Sequence, residues 1–159
     1  MKVSVIDNEF VATMDRELRT GFGLGGSAKC ATAFLTEASV QFLDRVLSDV
    51  RKRKRDLHIQ LVVGLYLRFT SPNVLRRLLT LQHANADQLE IKVARNERFH
   101  WKLYLFKSHD GRTTCYVGSS NLTIDGLEKN GELNVKLQDD RHAFDQLNVS
   151  VRANTWLTH

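Results

Sequence analysis

The apolar positions of this chain switch several times between helical spacing and the alternation or short continuous runs of β-strands. Phe10, Val11, Met14 and Leu18 recur at helical spacing and predict a short amphipathic helix over residues 7–20, with Asp7 or Asn8 as its cap. Residues 21–27, Gly-Phe-Gly-Leu-Gly-Gly-Ser, read as a flexible connection whose Gly26 and Ser27 could line the edge of a site. No Gly-Lys-Ser/Thr follows them, so they do not make a phosphate loop. Small residues over 28–35 predict a strand, and Thr36 caps a long helix over 37–54 whose stripe is Val40, Phe42, Leu43, Val46, Leu47 and Val50. The nearly continuous apolar run 58–64 predicts a central strand covered on both faces. A helix opens at Ser71-Pro72-Asn73 and runs to Ala84, and a strand covers 89–94. Three more strands begin at Phe99, Thr113 and Leu133, the first two joined by a hairpin containing Asp110-Gly111. A last helix covers 142–151, and Trp156-Leu157 make a short tail. Strands alternate with helices early and pair as a hairpin late. The fold class is therefore α/β, a mixed sheet with helices on both faces.

Composition narrows the setting. At 159 residues, 42% hydrophobic and 26% charged, the chain fits a single globular domain over 1–159. A net charge of +5 tilts its partners toward polyanions, either nucleic acid or an acidic membrane surface. Cys30 and Cys115 lie in apolar runs without Cys-x-x-Cys spacing, which predicts buried free thiols in a reducing compartment, not a metal site. Acidic residues crowd the first turns and leave no apolar signal core. The longest apolar run, 61–67, is too short to span a bilayer. The expectation is a soluble, cytoplasmic protein. The run Arg51-Lys52-Arg53-Lys54-Arg55 suits a solvated helix end, with a phosphate-backbone contact as the other reading.

The unusual chemistry lies between Phe99 and Leu133, where polar groups interrupt strand-like runs. His100 and Lys102 are two apart, so on one strand they share a face. Gly118-Ser119-Ser120-Asn121 follows the next strand, and Glu132 opens the last. Cleaving a phosphodiester without a metal needs a nucleophile, a cradle for the non-bridging oxygens and a proton for the leaving oxygen. Neutral imidazole of His100 supplies the first and imidazolium the third. Lys102 brings fixed charge, Asn121 amide donors and Ser119 a hydroxyl. Glu132 could orient His100 through the second ring nitrogen.

His100-Trp101-Lys102, then Gly118-Ser119-Ser120-Asn121, then Asn130-Gly131-Glu132, resemble in type and order the His-Lys motif of the phospholipase D superfamily. Leu122, Thr123, Gly126 and Leu127 look most like its nuclease-type, restriction-endonuclease-like members. Lys107 stands where that pattern usually carries Asp, which implies altered local packing. The resemblance implies His100, Lys102, Asn121 and Glu132 as catalytic residues, Gly118, Ser119 and Ser120 against the substrate, and no cofactor or metal. It implies a phosphohistidine intermediate. Because this family pairs two motifs and the chain has one, it also implies a homodimer with the active site on the two-fold axis.

The expected function is a metal-independent DNA phosphodiesterase, alone or as a fragment of a larger DNA-processing protein with a fused or separate helicase or DNA-recognition domain. A phospholipid phosphodiesterase or transphosphatidylase is the second reading, and a DNA-binding module without turnover the third. No surface helix suited to membrane docking is evident. His58, His83, His109, His142 and His159 lack comparable surroundings and read as structural or solvated. Trp101 is expected in the core, opposite His100. Glu128 competes with Glu132 for the orienting role.

Overall fold

The computed structural model describes residues 1–9 and 12–153. Seven strands form one mixed sheet: β1 (Lys2–Ile6), β2 (Gly26–Thr32), β3 (Leu57–Val63), β4 (Leu89–Val93), β5 (Lys102–Lys107), β6 (Thr113–Gly118) and β7 (Asn134–Gln138). Their order is β1-β7-β6-β5-β2-β3-β4. β2, β3 and β4 run parallel, and β5 turns antiparallel against β2 to begin a meander through β6, β7 and β1. The Asp110-Gly111 turn does form the β5–β6 hairpin, with Gly111 at φ 82°.

Helices flank both faces, unevenly. α1 (Met14–Gly23), α2 (Glu37–Lys52) and α3 (Pro72–Ala84) share one face, and α4 (Arg141–Ala153) lies on the other. The two parallel crossovers advance in one direction, and their right-handed sense puts α2 and α3 on the same side. The stripe of α2 is buried as its spacing requires, and the Thr36 backbone N–H donates to Ser39 Oγ at 2.9 Å to start the helix. The larger core joins these helices to Cys30, Ile59, Leu61, Tyr104 and Phe106, and the smaller one packs Phe144 and Val151 of α4 on Leu103, Leu105 and Cys115. Both cysteines are free and buried, and desolvation pushes each thiol up to about 12. On the α4 side, Ala31 and Val62 of β2 and β3 stay buried in the smaller core, and beside them lies a polar patch in which Gln60 Nε2 donates to Glu90 at 2.6 Å and Lys92 stands 3.2 Å from the same carboxylate.

Three expectations change. Residues 2–6, absent from the sequence reading, form the edge strand β1, paired with β7 at the far end of the chain. The first helix begins at Met14, not at Asp7. Asn8, at φ 62°, accepts from Met14 N at 2.8 Å and donates to Gly126 O at 3.0 Å, so it ends the strand and anchors the turn, and Thr13 caps the helix. Phe10 and Val11, which carried part of that helical pattern, lie outside the described residues, as does the Trp156-Leu157 tail. The glycine run is not a flexible connection either. Gly21 and Gly23 complete α1, and a Cβ at Gly21 would press within 2.9 Å of the Phe106 ring. Gly26 and Ser27 open β2 at the end of the sheet opposite Thr32 and Lys102, so they line no edge of the candidate site.

Candidate active site

The candidate residues gather at one end of the sheet, where β2 and β3 finish and β5 begins. The register pairs Thr32 with Lys102 and Gly118 with Asn134. Chain direction changes here, between β2 continuing to β3 and β5 running back beside it. Such switch points leave a crevice beyond the strand ends.

His100 lies just before β5, which starts at Lys102 and not at Phe99. Buried Phe99 anchors the segment, and its carbonyl comes within 3.0 Å of where a Cβ on Gly64 would stand. Gly64 therefore permits the close crossing that presents His100. Lys102 is 8% exposed. Its Nζ lies 2.7 Å from His100 Nδ1, 3.2 Å from Nε2 and 3.0 Å from the His100 carbonyl oxygen. The contact sets the Lys102 amino group against the His100 ring, where an ammonium can donate to whichever ring nitrogen carries a lone pair. Burial pushes the Lys102 pKa down, and the Glu132 carboxylate pulls it up. The Tyr66 ring meets His100 edge-on at 6.0 Å.

Asn121 is oriented by neighbours far away in sequence. Its Oδ1 accepts from the Ala33 backbone N–H at 3.2 Å and lies 3.3 Å from Thr32 Oγ1. A backbone N–H can only donate, so the oxygen must face Ala33, and Nδ2 with its two hydrogens is turned away from it. Thr32 is fully buried, donates to Phe34 O at 3.1 Å and accepts from Leu122 N at 3.0 Å. Sequence reasoning passed over both Thr32 and Gly64. Neither residue type signals chemistry, and their partners are remote in the chain.

The Gly118–Asn121 turn is built to hold its shape. A Cβ on Gly118 would collide with the Leu133 carbonyl oxygen, so only glycine lets β7 approach. Ser119 Oγ accepts from Leu133 N at 2.9 Å, which ties this exposed hydroxyl to β7. Ser120 is fully buried, its hydroxyl accepts from Asn134 Nδ2 at 2.8 Å, and Tyr104 donates to its carbonyl at 2.8 Å. Ser120 thus corrects the expectation of a substrate contact: it packs the turn from below. Trp101 is corrected in the other direction. Since residues 100 and 101 precede the strand, alternation does not bury it. It stacks on Phe99 at 5.2 Å, is 37% exposed, and lines a cavity of about 400 Å³ with His100, Lys102 and Val117.

Glu132 comes near enough to act on Lys102, but no hydrogen bond joins it to His100 among the described residues. Glu128 lines a separate cavity with Asp15, Arg19 and Arg45. Among the described residues no cluster of three or more His, Cys, Asp or Glu is placed to hold a metal ion, and no helix is long and apolar enough to cross a membrane.

The same architecture occurs in solved structures. Nuc of Salmonella typhimurium, a phospholipase D family member, matches with a TM-score of 0.67 at 14% identity, over 99% of each chain. NucT from Helicobacter pylori matches with 0.65 at 16%, over 96% of this chain and 94% of that one. A phosphatidylserine synthase of Haemophilus influenzae matches with 0.68 at 13%, over 97% of this chain and 39% of that one. No curated protein matches the sequence. Residues 27–157 match the family described as the NgoFVII restriction endonuclease N-terminal PLD domain, the phospholipase D fold that the crevice and its motif order already resemble, and the chain belongs to that family.

Proposed function

We propose that two copies of this chain form a metal-independent phosphodiesterase that cleaves DNA through a phosphohistidine intermediate. The observation that carries this reading is Lys102 Nζ 2.7 Å from His100 Nδ1 at the strand end where Thr32, the register partner of Lys102, and Ala33 hold Asn121. A substrate phosphate takes the hydrogen bond that Lys102 now gives to the ring, and Asn121 donates to a second oxygen. The freed lone pair attacks phosphorus. An N–P bond forms, the P–O bond to the leaving oxygen breaks, and that oxygen takes its proton from the partner's His100. The same imidazole, now neutral, deprotonates a water that attacks phosphorus and breaks the N–P bond. Lys102 and Asn121 hold the developing charge throughout, and Glu132 offsets part of the burial that lowers the Lys102 pKa.

The second copy supplies what one chain lacks, a second imidazole. Support for its seat comes from the sheet face beside His100, where Val5, Val135 and Val117 stand in one row across β1, β7 and β6, each at least 38% exposed, with exposed Leu133 nearby. DNA as substrate is supported by the +5 charge and by the restriction endonuclease family.

The test is cleavage of plasmid DNA in excess EDTA by the wild type and by His100→Ala. Cleavage that survives EDTA and is lost in the variant is expected. Activity that EDTA abolishes overturns the mechanism, and DNA retention without cleavage by either protein moves the reading to a binding module.

A further inference from the structure

Another cavity, of about 310 Å³, lies at the other end of the β5–β6 hairpin from His100, against the start of α4. Its lining is Lys107, Gly111, Thr113, Arg141, Phe144 and Asp145. Lys107 and Thr113 are register partners, so their side chains leave the same face of the sheet, the face that α4 covers. Arg141 is the first residue of α4, and its guanidinium lies against the hairpin turn, with Nη2 3.7 Å from where a Cβ on Gly111 would stand. Neither cation makes an ion pair among the described residues. Thr113 is only 3% exposed, and its hydroxyl has no hydrogen-bond partner among the described residues. A buried hydroxyl left unpaired costs about 1–3 kcal/mol, so a lining that keeps one calls for a partner.

We propose that this cavity is a phosphate-binding site, in which Lys107 and Arg141 hold the oxygens of a phosphate group and the Thr113 hydroxyl donates to one of them. The planar guanidinium and the ammonium suit phosphate oxygens. The first turn of α4 adds partial positive charge on the same side. Two carboxylates temper the field. Asp140 is engaged, accepting from Ala143 N at 3.0 Å, whereas Asp145 stands in the lining and offsets one of the two cations. Phe144 forms an apolar wall that suits the sugar or ester carbon beside a phosphate better than a bare ion.

The site is separate from the catalytic crevice. The five residue steps from Lys102 to Lys107 span about 17 Å at 3.3–3.4 Å each. That is about five base-pair steps of duplex at 3.4 Å per step. α4 runs between the two cavities, with Leu147 and Ser150 lining the one that holds His100. The chemistry fits a backbone phosphate of bound DNA, a use that rests on the proposed nuclease function, and it equally fits a small phosphate such as a nucleotide.

The experiment is a titration of the full chain with inorganic phosphate at constant ionic strength, following backbone amide shifts. Saturable shifts at Thr113 and Arg141 are expected, weakened at least tenfold by Lys107→Ala or Arg141→Ala and tightened several-fold by Asp145→Asn. These three residues are exposed, so their substitution leaves the fold intact. Thr113→Val, which keeps the side-chain shape, should weaken binding by a smaller factor. A second arm measures the salt dependence of binding to a short DNA duplex. A log–log slope reduced by about 0.9–1.8 in the double variant Lys107→Ala/Arg141→Ala assigns the site to the DNA backbone, at about 0.9 per lost phosphate contact. An unchanged slope with the phosphate shifts present assigns it to a small phosphate. Absent shifts, or shifts unaltered in the double variant, overturn the proposal. Neither arm requires turnover, so a chain that cleaves no DNA but shows the shifts loses the nuclease reading and keeps this one.

Discussion

Asn121 has its amide turned by Thr32 and Ala33, so the orientation of its donors is a property of β2 as much as of its own motif. Asn121→Asp keeps an oxygen for the Ala33 N–H but replaces both donors with an anionic oxygen facing the substrate. The kcat/KM for DNA should fall by about 10²–10³, the usual cost of losing one donor to a developing oxyanion. The urea midpoint should barely move. Near-normal activity in this variant would remove Asn121 from the phosphate. A second cluster matters to stability instead. Glu17 accepts from Tyr116 Oη at 2.7 Å and from Lys136 Nζ at 2.6 Å, which ties α1 to β6 and β7. Burial alone would raise the Glu17 carboxyl, but the Lys136 and Tyr116 hydrogen bonds outweigh it and hold it below its ordinary 4.5. A depressed carboxylate contributes stability that is present above its unfolded pKa and lost as pH falls through the folded one. Glu17→Gln should therefore cost about 2 kcal/mol near neutral pH. By differential scanning calorimetry, its deficit against wild type should shrink below pH 4.5. A deficit that stays constant into acid would mean that the charge contributes nothing.

At the scale of elements, the β6–turn–β7 unit supports the site from beneath. Gly118 lets the Leu133 carbonyl pass, Ser119 is bonded to Leu133, and Asn134 is bonded to Ser120 through both ends of its amide. Gly118→Ala forces a methyl into backbone that cannot yield cheaply. It should destabilise the protein by about 3 kcal/mol in urea denaturation, at the upper end of ordinary overpacking. A change below 0.5 kcal/mol, the level of a neutral surface substitution, would show that the turn relaxes. The same unit explains what could and could not be read from the sequence. The Gly-Ser-x-Asn order was legible, because glycine and a polar pair after a strand mark a turn with donors. That Ser120 points into the core was not, because its partner Asn134 lies fourteen residues on in another strand. The α2 stripe and the β5–β6 turn were legible because they are local. β1 was missed because its partner β7 lies more than a hundred residues away and its valines face outward. The late start of α1 depends on Asn8 reaching Gly126, which no local pattern reveals.

Taken as a whole molecule, the chain places a lysine, an asparagine and one imidazole at one end of a single sheet, and in-line displacement on phosphorus needs a second proton-carrying group on the far side. The sequence showed this deficit through a single His-x-Lys, whereas the exposed valine row beside it emerged only from strand order. In a shared site, each active unit requires two intact His100 residues, one to attack and one to protonate the leaving oxygen. Wild type and His100→Ala, mixed in equal amounts and allowed to exchange subunits, should then retain about a quarter of the activity of the same total of wild type, because only that share of randomly assorted two-fold pairs carries both histidines. Chains that work alone would retain about half, since a closed two-fold pair would then contribute nothing beyond its intact members. The value is read from initial rates of plasmid cleavage after exchange, with sedimentation on the same samples to confirm that pairs form. A result of one half in a sample that is fully paired would detach catalysis from the two-fold axis, leaving His100 as nucleophile and requiring the leaving oxygen to be protonated from within the same chain.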